Sequence, residues 1–120
     1  DPLSGYLILA EETSANLDLA GAYNFGPQEL DSRMVKDVIK TAQKFYTKGE
    51  VKFLTDYAGP HEATLLSLDT KKAQKILAFQ SRWDSTAAIK KTMNWYKQFE
   101  RGKDAKYLCL ADIEDYEESK

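Results

Sequence analysis

Seven apolar residues between Met34 and Tyr46 recur with the spacing of a single helix face: Met34, Val35, Val38, Ile39, Ala42, Phe45 and Tyr46. A run of this period lines one side of a helix starting after Asp31, and Gly49 stands where a left-handed residue would terminate it. A helix apolar on one side must cover that side, so the rest of the chain has to supply partners. Two more amphipathic helices are available. One is capped by Asp69 or Thr70 and faces inward with Ala73, Ile76 and Leu77. The other, capped by Ser85, carries Ala88, Ile89, Thr92, Met93, Tyr96 and Phe99 up to Gly102. A last helical turn or two, Leu110–Tyr116, runs into an acidic end.

The chain opens on a fourth helix signal, Asp1 with Pro2 at the first helical position, continuing through Leu3, Tyr6, Leu7 and Ala10 to about Thr13. Ile8 and Leu9 are apolar as well, so this helix wants covering on more than one side. Gly21–Gly26 alternates small, aromatic and polar residues between two glycines and reads as a short strand ended by Pro27. Val51–Leu54 reads as a second strand and Ala63–Leu68 as a third, separated by the turn-forming Tyr57-Ala58-Gly59-Pro60. The expected order is helix, strand, helix, strand, strand, helix, helix, helix. That is an α/β or α+β arrangement, a small two- or three-layer unit of about three short strands and four to five helices. No linker or repeat divides it, so residues 1–120 are expected to form a single domain.

Composition narrows the function classes. The charge of −2 is uneven, with Ala111–Lys120 at −4 and the remainder at +2, and the pI is about 5.4. Neither figure is the basic footprint of a nucleic-acid binder. Cys109 is the single cysteine, so neither an internal disulfide nor a thiolate metal cluster is expected, and a reducing cytoplasm is the natural compartment. Apolar runs such as Tyr6–Ala10 fall far short of the roughly 20 residues of a membrane span, and no export signal opens the chain. Asp1 leads directly into a helix, which is expected of a piece of a longer protein.

No catalytic, cofactor-binding or metal constellation can be assembled from the residues. Gly21 and Gly26 flank an extended segment and do not join a strand to a helix as a phosphate-binding turn would. Tyr116 and Lys120 have the spacing of a Tyr-Lys acid-base pair, but with seven Tyr and frequent Lys roughly one such pair arises by chance. His61, the only histidine, lacks the companions that zinc or a hydrolytic triad requires. With Glu62 it lies beyond the Gly59-Pro60 turn, where it either bonds nearby backbone or faces a polar ligand. The pair Glu11-Glu12, the carboxylates of 112–118 and Lys71, Lys72 and Lys75 read as solvated faces. Trp83 and Trp95 read as core. Taken alone, the chain is expected to bind something and not to transform it.

Several ordered segments carry a resemblance: Asp1-Pro2-Leu3-Ser4-Gly5-Tyr6-Leu7 with Leu9-Ala10-Glu11; Gly21-Ala22-Tyr23-Asn24-Phe25-Gly26-Pro27; and Pro60-His61-Glu62-Ala63 with Leu66, Leu68-Asp69 and Lys72-Ala73. Arg82-Trp83, Ala88, Thr92, Trp95-Tyr96, Gly102, Asp104 and Asp112-Ile113 continue it. The set resembles the carboxy-terminal part of the CDP-glucose 4,6-dehydratases, within the extended short-chain dehydrogenase/reductase family. The resemblance implies the substrate-binding part of such an enzyme without its Rossmann domain, where NAD and the catalytic Tyr and Lys would reside. It implies no cofactor in this chain, and it gives His61 and Glu62 a role in binding a nucleotide-sugar, CDP-glucose. It further implies homo-oligomerisation through the surface left by the missing Rossmann part. A stand-alone interaction module that lost the ancestral chemistry is the alternative. Two departures stand out: relatives often read Leu-Gly-Trp-x-Pro where this chain has Leu77-Ala78-Phe79-Gln80-Ser81, and several carry Arg where it has Gly59.

Overall fold

The computed structural model describes residues 1–28, 31, 33–53 and 68–119. Five α-helices are found there: α1 (Pro2–Ala15), α2 (Val35–Phe45), α3 (Lys71–Leu77), α4 (Ser85–Glu100) and α5 (Ala105–Glu118), with one 3₁₀ turn at Leu17–Leu19. α1 packs on α3, α2 on α4, and α4 on α5.

The start signals act much as their chemistry requires. Pro2 occupies the first turn of α1, where its missing N–H is no loss. Asp84 caps α4 by accepting the Ala87 N–H at 2.7 Å, and Asp104 caps α5 by accepting that of Tyr107 at 2.9 Å. The cap of α4 is thus one residue earlier than Ser85, and α5 is much longer than the expected turn or two.

The α/β expectation is corrected: among the described residues there is no strand and no sheet. Gly21–Gly26 is extended, and its alternation does place Tyr23 and Phe25 inward, but the surface that receives them is helical. Ala22 offers its carbonyl to Lys72 Nζ at 3.0 Å, and the Asn24 amide donates to the Asp69 carbonyl at 3.2 Å. Period-two burial therefore arises here from an extended strap laid over helices. Residues 51–53 are likewise unpaired, while Leu54 and residues 63–67 of the other two expected strands lie outside the described residues.

Phe25, Ala73, Leu77 and Phe79 form the buried cluster, with Ile8, Leu9 and Tyr23 packed against it. The Phe25 ring meets Phe79 edge-on at 5.0 Å and Tyr6 edge-on at 5.4 Å, a favoured aromatic geometry. Gly5 lets that ring lie on the backbone of α1: a Cβ there would stand 2.7 Å from Phe25 Cγ and 2.8 Å from Cε1. The opposite side of α1 is uncovered, as its all-round apolar character foretold, with Leu3 and Leu7 each 73% exposed. The Cα radius of gyration, 17.5 Å, exceeds the roughly 14 Å of a compact chain of this length.

Polar ties hold α2 to α4. Glu100 accepts from the Tyr46 hydroxyl and from Lys48 Nζ, the latter at 2.9 Å. At the other end Asp31 accepts from Ser85 Oγ at 2.8 Å and from the Ser85 N–H.

Candidate functional site

The segment joining α3 to α4 is tied by four hydrogen bonds to both ends of the described chain. α3 ends because Ala78 adopts the left-handed conformation (φ 51°, ψ 24°), and the N–H of Phe79 returns to the Ala73 carbonyl at 3.3 Å. That reversal sends Phe79 into the core and leaves Ser81-Arg82-Trp83-Asp84 as an outer turn. The Asp1 carboxylate fastens this turn, accepting from the N–H groups of Arg82 (2.8 Å) and Trp83 (3.4 Å) and from the Tyr116 hydroxyl (2.6 Å).

Arg82 reaches the end of α5. Its guanidinium donates to the carbonyls of Tyr116 at 2.8 Å and Glu117 at 3.1 Å, and lies 4.9 Å from the Tyr116 ring centre. A cation there satisfies carbonyls that have no partner within the helix and complements its dipole. Trp83 packs edge-on against Tyr116 at 5.0 Å, and Lys91 Nζ lies 4.7 Å from the Trp83 ring while pairing with Asp115.

Open clefts border the turn. One, of about 280 Å³, is lined by Gln28, Asp31, Ser81, Arg82, Trp83 and Asp84. A second, of about 370 Å³, is lined by Ser4, Ile8, Ala78, Gln80, Ser81 and Arg82. Hydroxyls, side-chain amides, two carboxylates and the Arg82 guanidinium line them, which is chemistry for holding hydroxyl groups. It is not the chemistry of proton transfer. Asp1, Asp31 and Asp84 are all engaged by N–H or O–H donors of the fold, and general acid-base work needs a carboxyl set apart from such partners.

The clearest perturbed titrations lie elsewhere, at the α2–α4 clamp. Hydrogen bonding to Glu100 pushes the Tyr46 phenol and the Lys48 ammonium up, and hydrogen bonds from Tyr46, then Lys48, hold the Glu100 carboxyl below its usual range. A catalytic Tyr of the Tyr-Lys type needs its phenol lowered, the opposite direction. Tyr116, singled out for its spacing to Lys120, gives its hydroxyl to Asp1; Lys120 itself is outside the described residues.

His61 and Glu62, the residues expected to meet a ligand, lie outside the described residues, as does Gly59. Lys71, Lys72 and Lys75 are exposed, as expected of a wet face; Lys72 also sits 4.1 Å over the Tyr23 ring. Among the described residues no three His, Cys, Asp or Glu side chains converge on a metal-sized site. No described helix is long and apolar enough to cross a membrane. Sequence reasoning missed the roles of Asp1, Gln28 and Asp31. Only the helix-start signals at Asp1 and Asp31 hinted at carboxylates near a helix end, and nothing local revealed which turn they would serve.

No family model matches the chain. It is similar to CDP-glucose 4,6-dehydratase from Salmonella typhimurium (strain LT2), 29% identical over 117 residues. The match covers 97% of this chain and falls in the carboxy-terminal part of the relative, of whose length the chain spans a third.

Proposed function

We propose that this chain is the nucleotide-sugar-recognising part of a CDP-glucose 4,6-dehydratase-like protein and is catalytically incomplete by itself. The observation that carries this reading is the end-to-end match: nearly every residue aligns with a dehydratase, yet two-thirds of that dehydratase has no counterpart here. In this reading residues 1–120 make one domain, and the dehydration chemistry, with its NAD, belongs to the part without a counterpart. What this chain contributes is binding. His61 and Glu62 are proposed to hold the ligand, an imidazole toward diphosphate oxygens and a carboxylate toward hydroxyls. The clefts beside Arg82 supply further hydroxyl, amide and carboxylate groups.

Calorimetric titration of the purified chain with CDP-glucose tests the proposal. Binding at up to millimolar ligand, weakened at least tenfold in His61→Ala and Glu62→Gln, is expected. No heat at saturating ligand would overturn the recognition role, and formation of the 4-keto product from CDP-glucose and NAD would overturn the incompleteness.

A second reading, a stand-alone interaction module, draws on one observation that both readings share. Leu3, Tyr6 and Leu7 on α1 and the neighbouring Leu17 are 56–80% exposed, and a cluster of large exposed apolar side chains marks a docking surface. Homo-oligomerisation through this surface is expected under either reading. A strict monomer by light scattering at high concentration would count against it.

A further inference from the structure

α5 carries a second surface, independent of α1 and of the ligand reading. Its inner side holds Leu108, which is 4% exposed, with half-buried Asp112 and Tyr116. On the other side Tyr107, Leu110 and Ile113 are 61%, 50% and 53% exposed. At 100° per residue, Lys106, Glu114 and Glu117 project within about 60° of Leu110, as do Tyr107 and Ile113. The outer face therefore runs from basic through apolar to acidic along the helix axis, and Lys103, just before the helix, extends its basic end.

This order is self-complementary under a two-fold rotation. If two copies of α5 lie antiparallel with Leu110 at the axis, Tyr107 of each stands level with Ile113 of the other, on the opposite flank of the contact. The same register brings Lys103 and Lys106 of each copy level with Glu117 and Glu114 of the other, so that opposite charges gather at both ends of the contact. Parallel pairing would align like charges instead. Among the described residues, Lys106, Glu114 and Glu117 make no ion pair within the chain, so their charges are available to a partner.

We infer that the outer face of α5 is a homodimer contact, an antiparallel α5–α5 pairing centred on Leu110. A two-fold interface requires one patch to complement itself, and this patch does so in both charge and apolar content. A contact of one helix per copy lies at the small end of specific interfaces, under about 1,200 Å² in total, so a weak dimer with a dissociation constant of roughly micromolar or above is expected.

Charge reversal in the full chain tests the register. Lys106→Glu brings Glu level with Glu at both ends of its own dimer, and Glu114→Lys brings Lys level with Lys. By sedimentation equilibrium each variant alone should associate at least tenfold more weakly than the unaltered chain, while an equimolar mixture should recover the original affinity. Both positions are exposed, and unchanged circular dichroism would show that each variant folds. A Leu110→Cys chain in a Cys109→Ser background should also form an intermolecular disulfide under mild oxidation, since cysteines on the axis of close-packed antiparallel helices fall within bonding range. A monomeric unaltered chain, reversals that leave association unchanged, or a mixture no stronger than its components would each overturn the inference.

Discussion

Replacing Gly5 by alanine sets two effects of known sign against each other. In the interior of a helix alanine is favoured over glycine by about 0.8–1 kcal/mol, so propensity alone predicts a more stable protein. The packing opposes this. The new Cβ would sit 2.7 Å from Phe25 Cγ and closer still to Cδ1, whereas carbon atoms in contact prefer roughly 3.5–4.0 Å. Phe25 has little room to withdraw, because it is 7% exposed with Phe79 and Tyr6 against its ring. Overpacking of a buried site costs about 1–3 kcal/mol, and displacement of a central aromatic ring belongs at the upper end. Subtracting the propensity gain leaves a net destabilisation of about 2 kcal/mol, or roughly 8 °C in melting temperature for a chain of this size. Urea denaturation followed by tryptophan fluorescence and by circular dichroism would measure it. A double variant with Phe25→Leu should lose less than the sum of the two single changes, because the smaller side chain leaves space for the methyl group. If Gly5→Ala proves more stable than the parent, the Phe25 ring does not rest on α1 and the core described above is wrong.

Ala78→Gly should stabilise the fold by about 0.5–1 kcal/mol, since the left-handed backbone costs a non-glycine residue about 1–2 kcal/mol and part of the relief is offset by the greater freedom of glycine in the unfolded chain; thermal melts would check it, and a lower melting temperature would refute it. The α2–α4 clamp should make stability depend on pH at both ends. Glu100, lowered in the fold, contributes fully above its ordinary pKa of about 4.3 and loses its contribution as pH falls through the lowered value. Tyr46, raised in the fold, contributes below its ordinary pKa of about 10 and loses its contribution as pH rises through the raised value. Glu100→Gln should flatten the acid side of the melting profile, and a profile parallel to that of the parent would dismiss the clamp.

The helices were legible because each carries its own period or its own cap. α2 and α4 were written in apolar spacing, and Pro2 announced α1. α5 was underestimated because its apolar residues lie on two sides, Leu108 inward and Tyr107, Leu110 and Ile113 outward, so no single stripe stands out. The strand reading of Gly21–Gly26 failed for a related reason. Alternation reports which side chains are buried, and an extended segment fixed by Lys72 and Asn24 to α3 and its approach alternates just as a strand does. The loss of glycine and proline after Leu77 put the local turn in question, yet Ala78 takes up the left-handed conformation that glycine would have adopted with less strain. The ties made by Asp1 and Asp31 were unreadable because their partners lie more than 50 residues away. His61 and Glu62 were singled out by resemblance, since their only local signal is their place after the Gly59-Pro60 turn.

The tie between Asp1 and the Arg82 turn also bears on the order of assembly. Its groups lie 81 to 115 residues apart, and the entropy of closing a loop grows with its length, whereas α4 and α5 meet across a connection of only a few residues. A refolding chain is therefore expected to gain the Asp1 contacts late, after the α4–α5 hairpin has formed. They act as a latch on a finished structure, so their loss is felt mainly in how fast the protein unfolds and little in how fast it folds.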